Sequence, residues 1–360
     1  MRSQIFAIIK GTGCFIPERI VTNEDFLKNV FYDADGKVIE VPNEEIIRKF
    51  NKITNISERR YIEDSLVTSD IAYIAAKNCI ESSGIDPETL GYVIVAHNFG
   101  DVKADNVRTD IVPSLAARVK HKLGIRNPES VCYDVIFGCP GWLQGVIQAD
   151  YYIKLGDAKR VLVIGSEALS RISDPHDRDS MIYSDGAGAI ILEAAESNEP
   201  LGILSHASRS DTFEEAHFLW MNKSYNPEVT DNTLYLKMYG RKLYEYALLN
   251  VPLVVKKSLE RANLSLSDVN KVLIHQANEK MDDAILSRIF SLYKVKDIPE
   301  RIMPMVINKL GNSSVATIPI LLDMILKGNL VNHEIVPGNI LVFASVGAGM
   351  NINALVYKMA

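Results

Sequence analysis

Cysteine is sparse in this chain. Its 360 residues hold four, Cys14, Cys79, Cys132 and Cys139, with no Cys-x-x-Cys pair and no cysteine–histidine cluster at zinc-ligand spacing. That speaks against a disulfide scaffold and against a structural metal site. Free thiols in a chain of this length point to a reducing cytoplasm. Long apolar runs are also missing. None approaches the roughly 20 residues that span a bilayer, so no membrane association is expected. The run at residues 5–9 is too short for the core of a signal peptide. Positive charge is in deficit, with 39 Lys and Arg against 45 Asp and Glu and a net charge of −6. A nucleic-acid partner is therefore not expected. Gly186-Ala-Gly188 and Gly347-Ala-Gly349 lack the third glycine of a dinucleotide fingerprint, and neither leads from a first strand into a helix. Asp33-Ala-Asp35-Gly36 lacks the glutamate that closes a calcium loop and reads as a polar hairpin turn.

What is present is ordinary globular composition, 47% hydrophobic and 23% charged, enough for a large core. The chain also echoes itself. IESSGIDPETLGYVIVAH from Ile80 matches LERANLSLSDVNKVLIHQ from Leu259 in pattern, an offset of 179 residues. FGCPGW from Phe137 matches LGNSSV from Leu310 at an offset of 173, and VLVIGS from Val161 matches ILVFAS from Ile340 at 179. Three pieces in one order imply duplication. Apolar runs at 93–96, 161–164, 273–274 and 341–343 suit strands buried on both faces, with helices expected over 142–155 and 315–326. The reading is a layered α/β fold of two pseudo-symmetric halves, residues 1–200 and 201–360.

The repeat has a chemical consequence. Cys139 in the first half falls on Asn312 in the second; each follows a glycine and precedes a helical pattern. His275 ends an apolar strand at the position equivalent to Ala96. Equivalent corners of two related halves can meet at one cavity. A cysteine ahead of Pro140, which suits the first helical position, meets the positive end of a helix dipole. That dipole and a nearby histidine are expected to raise the thiolate share above the roughly 3% of an ordinary thiol at pH 7. Taken singly, each residue has a plainer reading: a buried structural cysteine, a hydrogen-bonded core histidine, a helix-capping asparagine.

Taken together with GTGCFIPERIVTNED near the start, SRISDPHDRDSMIYSDGAGAIILEA, IHQAN, GNSSVATIP and the terminal SVGAGMNINALVYK, these residues give a full-length resemblance. The chain resembles the β-ketoacyl-acyl-carrier-protein synthase III family of the thiolase superfamily. The resemblance implies the five-layered αβαβα thiolase-like fold and a homodimer. It implies a decarboxylative Claisen condensation of an acyl primer with malonyl on an acyl carrier protein. Cys139 would be the nucleophile, and His275 and Asn312 would bind the malonyl thioester carbonyl. The backbone N–H groups of Cys139 and Ala348 would form the oxyanion hole. No metal or redox cofactor is implied; substrates ride on the phosphopantetheine of the carrier protein or on coenzyme A.

Some positions depart from the family pattern. Lys49 and Ile53 stand where enzymes using coenzyme A have a tryptophan and an arginine, while Arg171 matches the second arginine that stacks on adenine. The loss of the stacking partner predicts a carrier-borne primer or weak coenzyme A binding. Val112 stands where a phenylalanine often reaches into the partner's acyl pocket, which predicts primers longer than acetyl. Lys280 and Arg288 fall at or near family positions for carrier docking. The alternatives are a condensing enzyme of secondary metabolism that joins longer acyl or β-ketoacyl chains, an acyltransferase that does not extend its acyl group, and a non-catalytic partner subunit, which retention of all three residues disfavours.

Overall fold

The computed structural model describes residues 4–360 and is built on two large sheets with helices outside and between them, beside three two-stranded ribbons. The first sheet orders its strands Gln4–Phe15, Asp185–Ser197, Arg160–Ala168, Tyr92–Ala96 and Val131–Val135. The second orders Gly202–Ser210, Asn351–Lys358, Ile340–Gly347 and Val269–Ile274. Both sheets begin with antiparallel pairs and change to parallel at equivalent points, Arg160–Ala168 beside Tyr92–Ala96 and Ile340–Gly347 beside Val269–Ile274. Among the described residues the second sheet has no fifth strand, but the Val272 N–H donates to the Ile302 carbonyl at 2.9 Å on that edge. The duplication read from the sequence is thus a duplication of topology.

Strand periodicity explains the layering. Leu162 and Ile164 pack outward beneath helix Thr68–Ser83 and helix Leu115–Lys122, while Val161 and Val163 pack inward. Val342 and Ala344 face the outer helices Gly240–Arg261 and Glu279–Leu292, and Leu341 and Phe343 face in. Between the sheets lie helices Gly141–Lys154 and Thr317–Leu326, whose Trp142, Val146, Ile318 and Leu321 join both inner faces in one cluster. Helix, sheet, helix, sheet, helix gives the expected five layers. Each fully buried Leu, Ile or Val in that centre contributes about 1.5–3 kcal/mol, so the two halves share a core.

The glycines of Gly186-Ala-Gly188 serve this packing. A Cβ at Gly188 would sit 2.7 Å from the Pro319 Cβ and 2.8 Å from the Ile320 nitrogen, so only glycine lets strand Asp185–Ser197 approach the central helix. The Asp33 loop is the polar turn expected of it: the Asp33 carboxylate accepts from the N–H groups of Asp35 and Lys37, both at 3.0 Å.

Candidate active site

Cys139 sits where the chain leaves the edge strand Val131–Val135 and enters the central helix. Gly138 adopts φ 65°, and the helix proper starts at Gly141 with Pro140 as the residue that precedes it. The glycine is required twice over. Its φ is left-handed, and a Cβ on it would lie 2.6 Å from the Ala348 nitrogen. From the other side, a Cβ on Gly347 would lie 2.4 Å from the Cys139 nitrogen. The two glycine turns, one from each half, are pressed together, and this juxtaposes the amides of Cys139 and Ala348. Neither amide is spent in the turn and loop hydrogen bonds among the described residues.

Asn312 occupies the equivalent corner of the second half. It is held in a parallel bridge to Tyr183: the Asn312 N–H donates to the Ile182 carbonyl at 3.0 Å, and the Ser184 N–H donates to the Asn312 carbonyl at 2.8 Å. Its side-chain oxygen accepts from the Ser314 N–H at 2.8 Å, the cap-like bond the sequence allowed. That bond fixes the amide plane and leaves the NH2 group without a protein acceptor among the described residues. A short 3-10 turn, Ser314–Ala316, separates this corner from helix Thr317–Leu326. His275 follows directly on strand Val269–Ile274, its N–H bonded to the Ala344 carbonyl at 2.9 Å. Its ring Nδ1 lies 2.8 Å from the Thr317 hydroxyl.

Cys139, His275 and Asn312 line one cavity of about 790 Å³. Three residues 37 to 173 positions apart in sequence therefore share a wall, the convergence that the repeat implied. Beyond them the lining is largely apolar, with Phe50, Met181, Leu219, Trp220, Leu236 and Leu243 prominent. These come from helix Asn43–Thr54, the 3-10 turn Arg178–Ile182, the two-stranded ribbon Leu219–Asn222 with Tyr235–Met238, and helix Gly240–Arg261. None of that apolar wall was assigned in the sequence, because amphipathic faces read as core until a cavity separates them.

Burial governs the electrostatics. The Cys139 thiol is partly accessible from the cavity, yet surrounding protein desolvates it and pushes its pKa up to about 11; the hydrogen bond from Ser314 opposes this and the nearby Glu167 adds to it. Burial thus opposes the gain in resting thiolate expected from the helix terminus and favours the thiol. Desolvation also lowers His275 to about 4, so the imidazole is neutral at pH 7. Glu167, buried beneath Asn98, is raised to about 7 by desolvation.

The remaining residues fall in different places. Lys49 and Ile53 line the cavity, both more than half exposed, where the family alignment put a tryptophan and an arginine. Arg171 does not reach the cavity lining. Its guanidinium donates to the carbonyl of Glu63 at 2.9 Å and pairs with Asp64 at 3.3 Å, so it pins a neighbouring loop. Arg178, seven positions on, lines the cavity instead. Val112 is 82% exposed on a surface loop and does not line its own chain's cavity. Lys280 and Arg288 are exposed on helix Glu279–Leu292, which begins at the cavity wall with Asn278 and Met281. No group of three or more metal-binding side chains occurs among the described residues, nor any helix long and apolar enough to cross a membrane.

Comparison with known proteins agrees with this geometry. The family model for 3-oxoacyl-[acyl-carrier-protein] synthase III matches residues 133–212, and the model of that family's C-terminal region matches 259–359. The chain is 31% identical over 352 residues to the beta-ketoacyl-[acyl-carrier-protein] synthase III of Erythrobacter litoralis, which covers 97% of this chain and 98% of the relative. It is equally 31% identical, over 351 residues, to the enzyme of the same name from Staphylococcus aureus, with 97% and 98% covered. The solved structure of the Thermus thermophilus synthase III superposes with a TM-score of 0.79 at 28% identity, over 98% of this chain and 99% of that one. Sequence, fold and the meeting of the two halves converge: the chain belongs to the 3-oxoacyl-[acyl-carrier-protein] synthase III family and is a condensing acyltransferase.

Proposed function

We propose that the chain starts fatty acid synthesis by condensing an acyl primer with malonyl on an acyl carrier protein, through an acyl group held on Cys139. The observation that carries this is the shared cavity, in which a thiol from one half meets an imidazole and a free amide from the other. In the first step the Cys139 sulfur bonds to the primer's thioester carbon. The carrier thiol leaves, and the cysteine proton ends on its sulfur. The paired amides of Cys139 and Ala348 are disposed to hold the oxygen of the tetrahedral intermediate.

In the second step malonyl loses carbon dioxide, and the electron pair of the broken bond passes into an enolate. Its oxygen needs donors. Asn312 has a free NH2 group, and neutral His275 has one N–H to place. When the Thr317 hydroxyl turns its one proton from the Ser314 carbonyl to Nδ1, the ring N–H sits on Nε2, the nitrogen turned away from Thr317. The enolate carbon then attacks the acyl-cysteine carbonyl, a carbon–carbon bond replaces the carbon–sulfur bond, and Cys139 recovers a proton from solvent. This chemistry requires a free thiol, in keeping with a reducing cytoplasm; all four cysteines are unpaired.

The cavity's apolar wall supports primers longer than acetyl, and Lys49 with Ile53 in place of a stacking platform supports delivery on a carrier protein. Exposed Lys280 and Arg288 near the cavity are disposed to meet an acidic carrier. A homodimer is supported by the free edge strand Val131–Val135, with Val131 half exposed and Val112 projecting nearby in the same half. The full-length relatives favour this reading over a ketosynthase of secondary metabolism. Intact-protein mass spectrometry after incubation with a panel of acyl thioesters tests it. Acylation at residue 139, followed by release of labelled carbon dioxide and loss of the adduct when malonyl-carrier protein is added, is the expected result. An unmodified Cys139 with every thioester would overturn it.

A further inference from the structure

Ser314 ends the Gly-Asn-Ser-Ser motif and takes no part in the steps proposed above. In the structure it is bonded towards all three members of the site. Its N–H donates to the Asn312 side-chain oxygen at 2.8 Å. Its hydroxyl donates to the Cys139 sulfur at 3.4 Å, an ordinary hydrogen-bond length for the larger sulfur atom. Its carbonyl accepts from the Thr317 hydroxyl at 3.1 Å, and that same oxygen lies 2.8 Å from the His275 Nδ1. One backbone conformation presents these three groups in three directions, and it is a left-handed one: Ser314 has φ 52°. A side-chain-bearing residue adopts that region only against a steric penalty. Such strain persists only where surrounding contacts hold it, and it concentrates at functional sites.

The hydroxyl's direction is itself determined. Asn98 donates its side-chain N–H to the Ser314 oxygen at 3.2 Å, and the same amide is anchored by Glu167, which accepts from its NH2 at 2.7 Å and from its backbone N–H at 3.0 Å. A serine has one proton to give. With Asn98 donating into its lone pair, that proton points at the sulfur.

We infer that Ser314 is a further catalytic residue of the condensation, whose hydroxyl donates to the Cys139 sulfur whenever that sulfur carries negative charge. Negative charge develops twice: as the thiol is converted to the attacking nucleophile, and as the cysteine leaves after carbon–carbon bond formation. Ser314 keeps its proton throughout, so the atom balance of the reaction is unchanged. A hydrogen bond to a charged sulfur is stronger than one to a neutral thiol, so the contact favours the charged stages over the resting one. Asn98 acts through Ser314 and is a positioning residue. The other ionisable groups around the sulfur are Glu167 behind it and His275 and Tyr183 in the cavity wall.

The inference rests on Cys139 being the nucleophile, and its test needs no acyl substrate. The rate of iodoacetamide alkylation at residue 139, followed by peptide mass spectrometry, reads the thiolate fraction at each pH. Two variants separate the hydroxyl from the fold. S314A removes the oxygen, and S314G removes it while relaxing the left-handed strain; both keep the backbone N–H and carbonyl that serve Asn312 and Thr317. In each variant alkylation at pH 8 should slow about tenfold, equivalent to raising the thiol by about one unit. Acylation by the best thioester should slow in parallel, with KM little changed. Wild-type alkylation rates in both variants would overturn the role of the hydroxyl. A Ser314-dependent thiol that no thioester acylates would instead overturn the proposed function and leave the hydrogen bond standing.

Discussion

His275 shows how burial can suit a single side chain to the donor's task proposed for it. Desolvation holds it near pKa 4, below the 6.5 of a free imidazole, so its one N–H persists across the range in which the enzyme works. Two outcomes follow. The pH–rate profile of malonyl decarboxylation should lack an acid limb near 6.5, since no charge change occurs there on this ring. H275A should reduce carbon dioxide release by roughly 10²–10³-fold, the size of a lost oxyanion donor, and leave acylation of Cys139 within a few-fold. Stopped assays of the two half-reactions separate these, and equal loss in both would remove His275 from the enolate site. The same shift affects folding. The native state sheds a proton that the unfolded chain retains between about pH 4 and 6.5, so His275 costs stability as pH falls through that window. Cys139, His275 and Asn312 were singled out in sequence because each lies in a short local motif, Cys139 and His275 just beyond strands and Asn312 just beyond the short helix Ile307–Leu310. Arg171 and Arg178 were not distinguishable in that way: both are arginines in one loop, and only the path of the backbone decides which faces the cavity.

Helix Glu279–Leu292 carries a conflict between local pattern and environment. Asp282, in its first turn, has a favourable place near the positive helix terminus, yet it is fully buried and neither carboxyl oxygen has a hydrogen-bond partner among the described residues. Desolvation, with Asp283 and Glu279 nearby, raises its pKa well above the carboxylate range. The folded protein therefore keeps a proton that the unfolded chain loses above about pH 4. Asp282 makes stability fall as pH rises from there. D282L removes both stranded oxygens and should stabilise the protein at pH 7 by about 1–3 kcal/mol, with a smaller gain near pH 4. Urea unfolding at the two pH values checks this, and a lower midpoint for D282L at pH 7 would contradict it. The opposite face of the helix, with exposed Lys280 and Arg288, remains free to meet a partner.

Joining two halves made a site that neither half holds alone, and joining two chains would complete its acyl end. Val112 is exposed in the single chain and reaches no part of its own cavity, so its proposed influence on primer length requires a second copy. Sedimentation should give twice the chain mass. V112F should then shift the kcat/KM ratio toward shorter primers by roughly 10–200-fold or more, since a single methylene in an apolar pocket already commands that range. A monomeric protein, or an unchanged chain-length profile in V112F, would dismiss this arrangement.

The strands, the central helices, the duplication and the identity of the three polar side chains that meet in the cavity were set by residue order, because periodicity, glycine turns and short motifs act over neighbouring residues. The depth of the pocket, the desolvation of Cys139, the arginine that lines the cavity and the hydrogen bonds of Ser314 were decided by tertiary structure. Desolvation and hydrogen-bond direction depend on groups brought together from distant parts of the chain, and no local pattern records how two pressed glycine turns or one left-handed serine will place them.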